Sequence, residues 1–213
     1  MFKGSGIDNG GNGDPIKTEG ENSTQNKFSN ESGYSLEIIE REPYTPEELE
    51  KRKDTFEEQK KLADEVCMKY KKGDTFSFFL EKMQSPGNPS CHYAIIFDGV
   101  EIGDFDLGID QHYMETERHN DERIFYGIEL NKNIRNKGLG KQLYILLNEY
   151  LKKNDGVVLA QAFESSSDSK GVWLSLFKDG LVELIPENSP HGYYLSANNH
   201  YLPKHLKFYR FKK

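Results

Sequence analysis

A strand pattern that runs directly into a glycine-bearing turn and a helix is the feature that most constrains the fold of this chain. Residues 123–130 read "RIFYGIEL", which predicts a strand, and residues 133–147 read "NIRNKGLGKQLYILL". Apolar residues at helical spacing after the turn predict a helix of about fifteen residues. Backbone N–H groups gather where such a helix begins, and with the helix dipole they favour a bound phosphate.

The rest of the chain predicts an α/β fold in which a mixed sheet is flanked by helices. Strand candidates fill the first half, including a hairpin with Asp98-Gly99 at its turn, and a β-α-β-α-β order follows. An amphipathic helix, or two in succession, is predicted from a capping box at Thr45 to Gly73. Its apolar stripe consists of Leu49, Phe56, Ala63 and Tyr70.

The N-terminal segment has a different composition from the rest. Residues 1–33 are rich in Gly, Asn, Ser and charge, and such a segment buries too little apolar surface to offset its ordering entropy. We therefore predict a disordered tail over 1–33 and a single domain over 34–213. A targeting or partner-binding arm is the alternative for the tail.

Composition narrows the class of protein. The net charge of -7 argues against broad nucleic-acid binding, and no apolar run approaches the length of a membrane span. The N-terminus lacks the apolar core of a signal peptide, and Cys67 and Cys91 lie too far apart to suggest a disulfide framework. A cytoplasmic location is expected. His191, His200 and His205 match no zinc spacing, so no metal is expected.

Three phosphate-binding motifs can be compared with the turn. Arg135 replaces the first glycine of the nucleoside-triphosphate loop, and Gln142 replaces its Ser or Thr. The dinucleotide fingerprint needs three glycines, and only Gly138 and Gly140 are present. The pattern [QR]-x-x-G-x-[GA] fits residues 135–140, "RNKGLG".

That third pattern is the acyl-coenzyme A pyrophosphate turn of the GNAT superfamily of N-acetyltransferases, which the chain resembles over residues 90–186. The hairpin "IIFDGVEIGDFDL", the strand-turn-helix unit "IELNKNIRNKGLGKQLYILLNEYL" and the segment "SDSKGVWLSLFKDGLVEL" carry the resemblance. It implies a GNAT-like acyl-coenzyme A N-acyltransferase fold with acetyl-coenzyme A as co-substrate. It also implies direct transfer of an acetyl group to a primary amine on a small molecule, a protein lysine or a protein N-terminus.

The resemblance assigns the coenzyme to the strand and the turn. Strand residues Ile128 and Leu130 would present their backbone to the pantetheine arm, and backbone N–H groups of the turn would bind the pyrophosphate. The turn residues are Arg135, Asn136, Lys137, Gly138, Leu139, Gly140 and Lys141.

Direct transfer needs a base, because an ammonium group has no lone pair with which to attack. In the family the base is often a carboxylate on the strand before the turn, which here implies Glu122 or Glu129. Strict alternation along the strand predicts Glu122 on the face of Tyr126 and Ile128, with Glu129 on the opposite face. Both carboxylates also fit a solvated strand end.

The usual general acid of the family, a Tyr shortly before the Gly that ends the last helix, is missing. Leu176 and Phe177 stand there, before Gly180. Three alternatives follow: the thiolate leaves with solvent help, Tyr193 or Tyr194 substitutes, or the protein binds acyl-coenzyme A without turnover. The last alternative describes a catalytically silent binding or partner-docking module, and a delivered effector with a secretion signal in 1–33 is a further variant.

The acceptor site is predicted only in its charge. Acidic residues in the second strand of the hairpin and in the loop after it would favour a cationic acceptor such as a polyamine, an aminoglycoside or a lysine side chain, although they equally fit a solvated loop. They are Asp104, Asp106, Asp110, Glu115 and Glu117.

Overall fold

The computed structural model describes residues 26–84, 90–108, 122–161, 167–185 and 208–213. The strands in these ranges are β1 (Asn26–Ser29), β2 (Ser35–Arg41), β3 (Ser77–Gln84), β4 (Ser90–Phe97), β5 (Val100–Gly108), β6 (Glu122–Leu130), β7 (Val158–Gln161), β8 (Val182–Leu184) and β9 (Tyr209–Phe211). The helices are α1 (Pro46–Asp54), α2 (Phe56–Lys69), α3 (Leu139–Asn154) and α4 (Ser167–Lys178).

The described strands form one mixed sheet in the order β1-β2-β3-β4-β5-β6-β7-β9-β8. β2 pairs with β3 and β6 pairs with β7 in parallel, whereas the other neighbouring strands are antiparallel. A parallel pair needs a long crossover connection, which α1 and α2 supply between β2 and β3 and α3 supplies between β6 and β7. The predicted mixed α/β fold is therefore confirmed.

A row of aromatic rings packs the helices against the middle of the sheet. Tyr93 on β4 stacks on Phe105 of β5, and Phe105 lies 5.1 Å from Phe125 of β6 between ring centroids. The row continues from Phe125 to Tyr144 on α3 at 4.3 Å and from Tyr144 to Trp173 on α4 at 5.2 Å. All five side chains are buried, so the row fixes α3 and α4 relative to β5 and β6.

The predicted helix after Thr45 consists of two helices, and only the second is well packed. The capping box is present: Thr45 accepts from the N–H of Glu48, and the Glu48 side chain accepts from the N–H of Thr45. α1 buries no residue, and Leu49 and Phe56 of the predicted stripe are exposed, whereas Ala63 and Tyr70 are buried. The stripe prediction is therefore wrong for its first half. None of the described helices is both long and apolar enough to cross a membrane.

The predicted tail is wrong at its C-terminal end. Residues 26–29 form β1, which pairs with β2, and Phe28 packs against the core. The side-chain amide of Asn30 also donates to Gln142 on α3 at 3.2 Å. Sheet pairing supplies what the local composition lacks, because a strand edge offers hydrogen bonds to any backbone. The prediction for residues 1–25 lies outside the described residues.

Candidate functional site

The turn between β6 and α3 ends at a helix N-terminus that has no side-chain cap among the described residues. Gly138, the N-cap of α3, is in the left-handed conformation with φ 88° and ψ -5°, which an L-residue with a side chain adopts only with strain. It makes no side-chain cap, and the first intrahelical bond runs from the N–H of Gln142 to the carbonyl of Gly138. The N–H groups of Leu139, Gly140 and Lys141 consequently have no acceptor within the helix.

This helix N-terminus faces a cleft of about 770 Å³. A glycine on each side of the helix start gives the cleft direct access to the backbone. A Cβ at Gly138 would meet no atom within 4 Å, and one at Gly140 would meet only Val172 at 3.7 Å. The lining residues come from β5 (Asp104, Phe105, Asp106), β6 (Tyr126, Gly127, Ile128, Glu129, Leu130), the turn (Arg135, Asn136, Gly138), α3 (Gly140, Lys141) and α4 (Gly171, Val172, Ser175).

The last part of β6 offers its backbone to the same cleft. β7 pairs with β6 only from Glu122 to Phe125, so beyond Phe125 this edge of β6 has no strand partner among the residues that the structure describes. On the other edge, the N–H of Asn131 donates to the carbonyl of Ile102 on β5 at 2.7 Å. Alternation then directs the backbone groups of Leu130 and Ile128 towards the cleft. The carbonyl of Leu130 accepts from Nε of Arg135 at 2.6 Å.

A bulge in β6 changes which side chains share a face. Leu107 of β5 pairs with Phe125, but Asp106 pairs with Gly127, so Tyr126 is the extra residue. The predicted face assignment is therefore wrong: Ile128 pairs with Phe105 and shares the face of Phe125. Alternation up to the bulge and again after it puts Glu122 and Glu129 on one face. Gly127, with φ 135°, is the sequence signal for this bulge, since an isolated glycine within a strand is typical of one.

The two predicted bases occupy different places on that face. Glu129 lines the cleft and is exposed. Glu122 lies at the start of β6, roughly 13 Å along the strand from Tyr126 at 3.3 Å per residue. Its side chain is only 11% exposed and binds Nη1 of Arg210 at 2.6 Å, while Nε of Arg210 binds Glu183 at 2.8 Å. The structure brings Glu129 to the cleft and leaves Glu122 in an ion pair outside it.

Asp104 is a second carboxylate of the cleft and pairs directly with Glu129 across β5 and β6. Side chains at such paired positions start about 5 Å apart, so two carboxylates there repel each other. Burial raises the pKa of Asp104, and the charges of Glu101, Glu129 and Asp106 raise it further, against the opposing effect of His92. The sequence identified Asp104 only as one of several acidic residues, because its pairing with Glu129 depends on the strand register.

The turn residues divide between the cleft and the protein interior. Leu139 is buried in the core, and Nζ of Lys137 donates to the carbonyls of Tyr70 at 2.6 Å and Cys67 at 3.4 Å. Arg135, Asn136, Gly138, Gly140 and Lys141 line the cleft. Lys141 also binds Asp179 and donates to Ser175 Oγ at 3.1 Å, which ties the start of α3 to α4.

The position of the missing family tyrosine does not face the cleft. Leu176 is fully buried, and the ring of Phe177 packs on Tyr209 at 5.2 Å. Tyr126, the residue of the bulge, is the tyrosine named among the described residues that line the cleft. Tyr193 and Tyr194 lie outside the described residues.

Neither Cys67 nor Cys91 is among the residues that line this cleft. Burial raises the pKa of the Cys67 thiol to about 11, so the thiol stays protonated at neutral pH. Cys91 is partly buried on β4, and burial raises its pKa as well. Within the described ranges, no group of three or more His, Cys, Asp or Glu side chains is placed to hold a metal ion. His191, His200 and His205 fall outside these ranges.

Comparison with solved structures returns acetyltransferases. No protein-family model and no curated protein matches the sequence. A GNAT-family acetyltransferase from Streptococcus pneumoniae matches at 15% identity over 61% of this chain and 69% of its own, with a TM-score of 0.37. One from Staphylococcus aureus matches at 13% identity over 58% and 68%, also with a TM-score of 0.37.

The chain is similar to these two GNAT-family acetyltransferases over about three fifths of its length. A third similar structure is the PaiA N-acetyltransferase from Thermoplasma acidophilum in complex with coenzyme A, at 16% identity over 80% of both chains, with a TM-score of 0.34. Identities of 13 to 16% describe a likeness of fold and do not extend to the substrate.

Proposed function

We propose that this protein is an N-acetyltransferase that binds acetyl-coenzyme A in the cleft and transfers the acetyl group directly to a primary amine. The observation that carries the proposal is the N-terminus of α3, which opens at Gly138 onto the same cleft as the edge of β6 that no described strand pairs with. The first feature suits a pyrophosphate and the second suits the amide groups of a pantetheine arm.

The pyrophosphate end of the site would use backbone donors rather than lysine side chains. The N–H groups at the start of α3 are without intrahelical acceptors, and their dipoles align with the helix axis. Of the nearby cations, Lys137 binds carbonyls of residues 67 and 70, and Lys141 binds Asp179. Arg135 is exposed at the cleft and would add the charge that complements the phosphates.

The thioester end of the site would lie near the bulge, where carboxylates meet the open edge of β6. An ammonium acceptor would bind between Asp104 and Glu129 and lose its proton to one of them. The raised pKa of Asp104 favours it as the base. The amine nitrogen then attacks the thioester carbonyl, the carbon–sulfur bond breaks, and the thiolate takes a proton.

Tyr126 is the group that we propose as the donor of this last proton. Its side chain lines the cleft at the bulge, beside Gly108, where a Cβ would lie 2.9 Å from the Tyr126 ring. A phenol at this place would act as the general acid, the role that the missing tyrosine has in the family.

One observation favours a second function, an acyl-coenzyme A binding module without turnover. Leu176 fills the core at the position where the family carries its acid. Binding of coenzyme A with no thiol release for any amine would indicate this alternative, whereas the cleft and the turn would keep the same role.

The experiment that separates these functions has two stages. Calorimetry with coenzyme A and acetyl-coenzyme A tests the site, and no binding at millimolar concentration would refute both functions. Thiol release is then measured with a polyamine, an aminoglycoside and a lysine peptide. Turnover that is lost in Asp104→Asn or Glu129→Gln, with acetyl-coenzyme A affinity retained, supports the transferase and identifies the base.

A further inference from the structure

Helix α2 is fastened to the coenzyme turn by one carboxylate. Oδ1 of Asp64 accepts from the side-chain amides of Asn131 and Asn133, each at 2.9 Å, and Oδ2 lies 3.5 Å from Nζ of Lys132. The hydrogen bond from Asn131 is the main cause of the lowered pKa of Asp64; burial opposes it, and the charge of Lys132 lowers the pKa further. One aspartate therefore binds three successive residues between β6 and the turn.

A second contact fastens the C-terminal end of the same helix. Nζ of Lys137 donates to the carbonyl of Tyr70, the C-cap of α2, and to that of Cys67. Carbonyls at a helix C-terminus lack intrahelical donors, so an ammonium group there is favoured by both hydrogen bonding and the helix dipole. The ammonium group of Lys137 is therefore bound to the C-terminal end of α2 rather than directed into the cleft.

Asn131 joins these contacts to the sheet and to the turn. Its N–H donates to Ile102 on β5, its Oδ1 accepts from the N–H of Asn133 at 2.9 Å, and its carbonyl accepts from the N–H of Ile134 at 3.0 Å. Ile134 is fully buried, so the chain is fixed before it enters the turn at Arg135. Loss of the Asp64 carboxylate should therefore loosen the backbone of the residues that precede Gly138.

We propose that Asp64 and Lys137, together called the α2 latch, are positioning residues that hold the turn in the shape in which α3 presents its N–H groups to acetyl-coenzyme A. The inference rests on the proposed function for its ligand, but the geometry of the latch is independent of it. Because coupling between two sites is reciprocal, coenzyme A bound at the turn must in return tighten α2.

Hydrogen exchange on the protein with residues 1–213 tests the latch with and without coenzyme A. In Asp64→Ala, we expect the amides of residues 134–141 to exchange about tenfold faster without ligand, and the coenzyme A affinity to fall about tenfold. Asp64→Asn keeps an oxygen that accepts both amide hydrogen bonds and should restore both values to within about threefold of the wild type. Glu65→Ala, at an exposed neighbour on α2, is the matched control.

The reverse coupling is measured on the same samples. Coenzyme A should slow the exchange of residues 61–70 in the wild type, and this protection should be absent in Asp64→Ala/Lys137→Met. If Asp64→Ala does not fold, Lys137→Met alone must raise the exchange of residues 134–141.

The outcomes separate the latch from the proposed function. Ligand-free exchange at 134–141 that is unchanged in Asp64→Ala, or that rises equally in Glu65→Ala, overturns the latch. Failure of the wild type to bind coenzyme A overturns the proposed function, and the ligand-free exchange still decides the latch.

Discussion

Two glycines that flank α3 provide a matched test of the pyrophosphate site. Gly138 precedes the helix with φ 88°, and Gly156 follows it with φ 69°. A Cβ on either would meet no atom within 4 Å, so a side chain at either position costs backbone strain without a steric clash. We expect Gly138→Val and Gly156→Val to lose similar stability, about 2 kcal/mol each.

Their effects on coenzyme A binding should differ sharply. The side chain at residue 138 would project into the cleft, where it displaces the phosphates from the N–H groups at the start of α3. Loss of two charge-assisted hydrogen bonds at about 1.5 kcal/mol each predicts at least a hundredfold weaker affinity. Gly156 is exposed at the opposite end of the helix, so Gly156→Val should bind normally.

Calorimetry measures both affinities at a temperature at which circular dichroism shows both variants folded. Folded Gly138→Val that binds acetyl-coenzyme A like the wild type would refute the role of the turn. Equal losses in the two variants would show that the effect comes from reduced stability rather than from the site.

Three further predictions concern other parts of the chain. Asp104→Asn should abolish turnover yet melt at an equal or higher temperature than the wild type at pH 7, because the raised pKa of Asp104 means that its ionised form destabilises the fold. The gain in melting temperature should disappear as the pH falls below 3.8, the ordinary pKa of the group, and a lower melting temperature of Asp104→Asn at pH 7 would contradict the prediction. Cys67, with a pKa of about 11, should react with iodoacetamide at pH 7 only after unfolding, as mass spectrometry of the native and denatured protein would show. Deletion of residues 1–25 should leave the melting temperature unchanged, whereas deletion of 1–33 removes β1 and Phe28 and should lower it by several degrees.

The sequence predicts local features of this protein well. The capping box at Thr45, the hairpin at Asp98-Gly99 and the helix after Gly138 all follow from short-range chemistry, since each depends on residues within a few positions. The candidate cleft also has a local signature, because a turn between one strand and one helix already fixes where the backbone donors lie.

Features that depend on distant partners were missed. The pairing of Asp104 with Glu129 depends on a bulge that shifts the register, and strict alternation along β6 gave the wrong faces. β1 is polar in composition and becomes a strand only because β2 offers it a pairing edge. α1 has the predicted helical pattern but buries no residue. Periodicity predicts that a helix forms, whereas burial depends on whether another element lies against it.

The strand order has a consequence for how the sheet is completed. β8 precedes β9 in the chain, yet within the described residues β8 pairs only with β9, which lies between it and β7. β8 can therefore join the sheet only once β9 is in place. Arg210 on β9 then links Glu183 of β8 to Glu122 of β6 through two ion pairs. Because this ion-pair bridge spans 88 residues of chain from Glu122 to Arg210, it forms at the end of assembly, and a chain that stopped before β9 would lose two strands of the sheet rather than one.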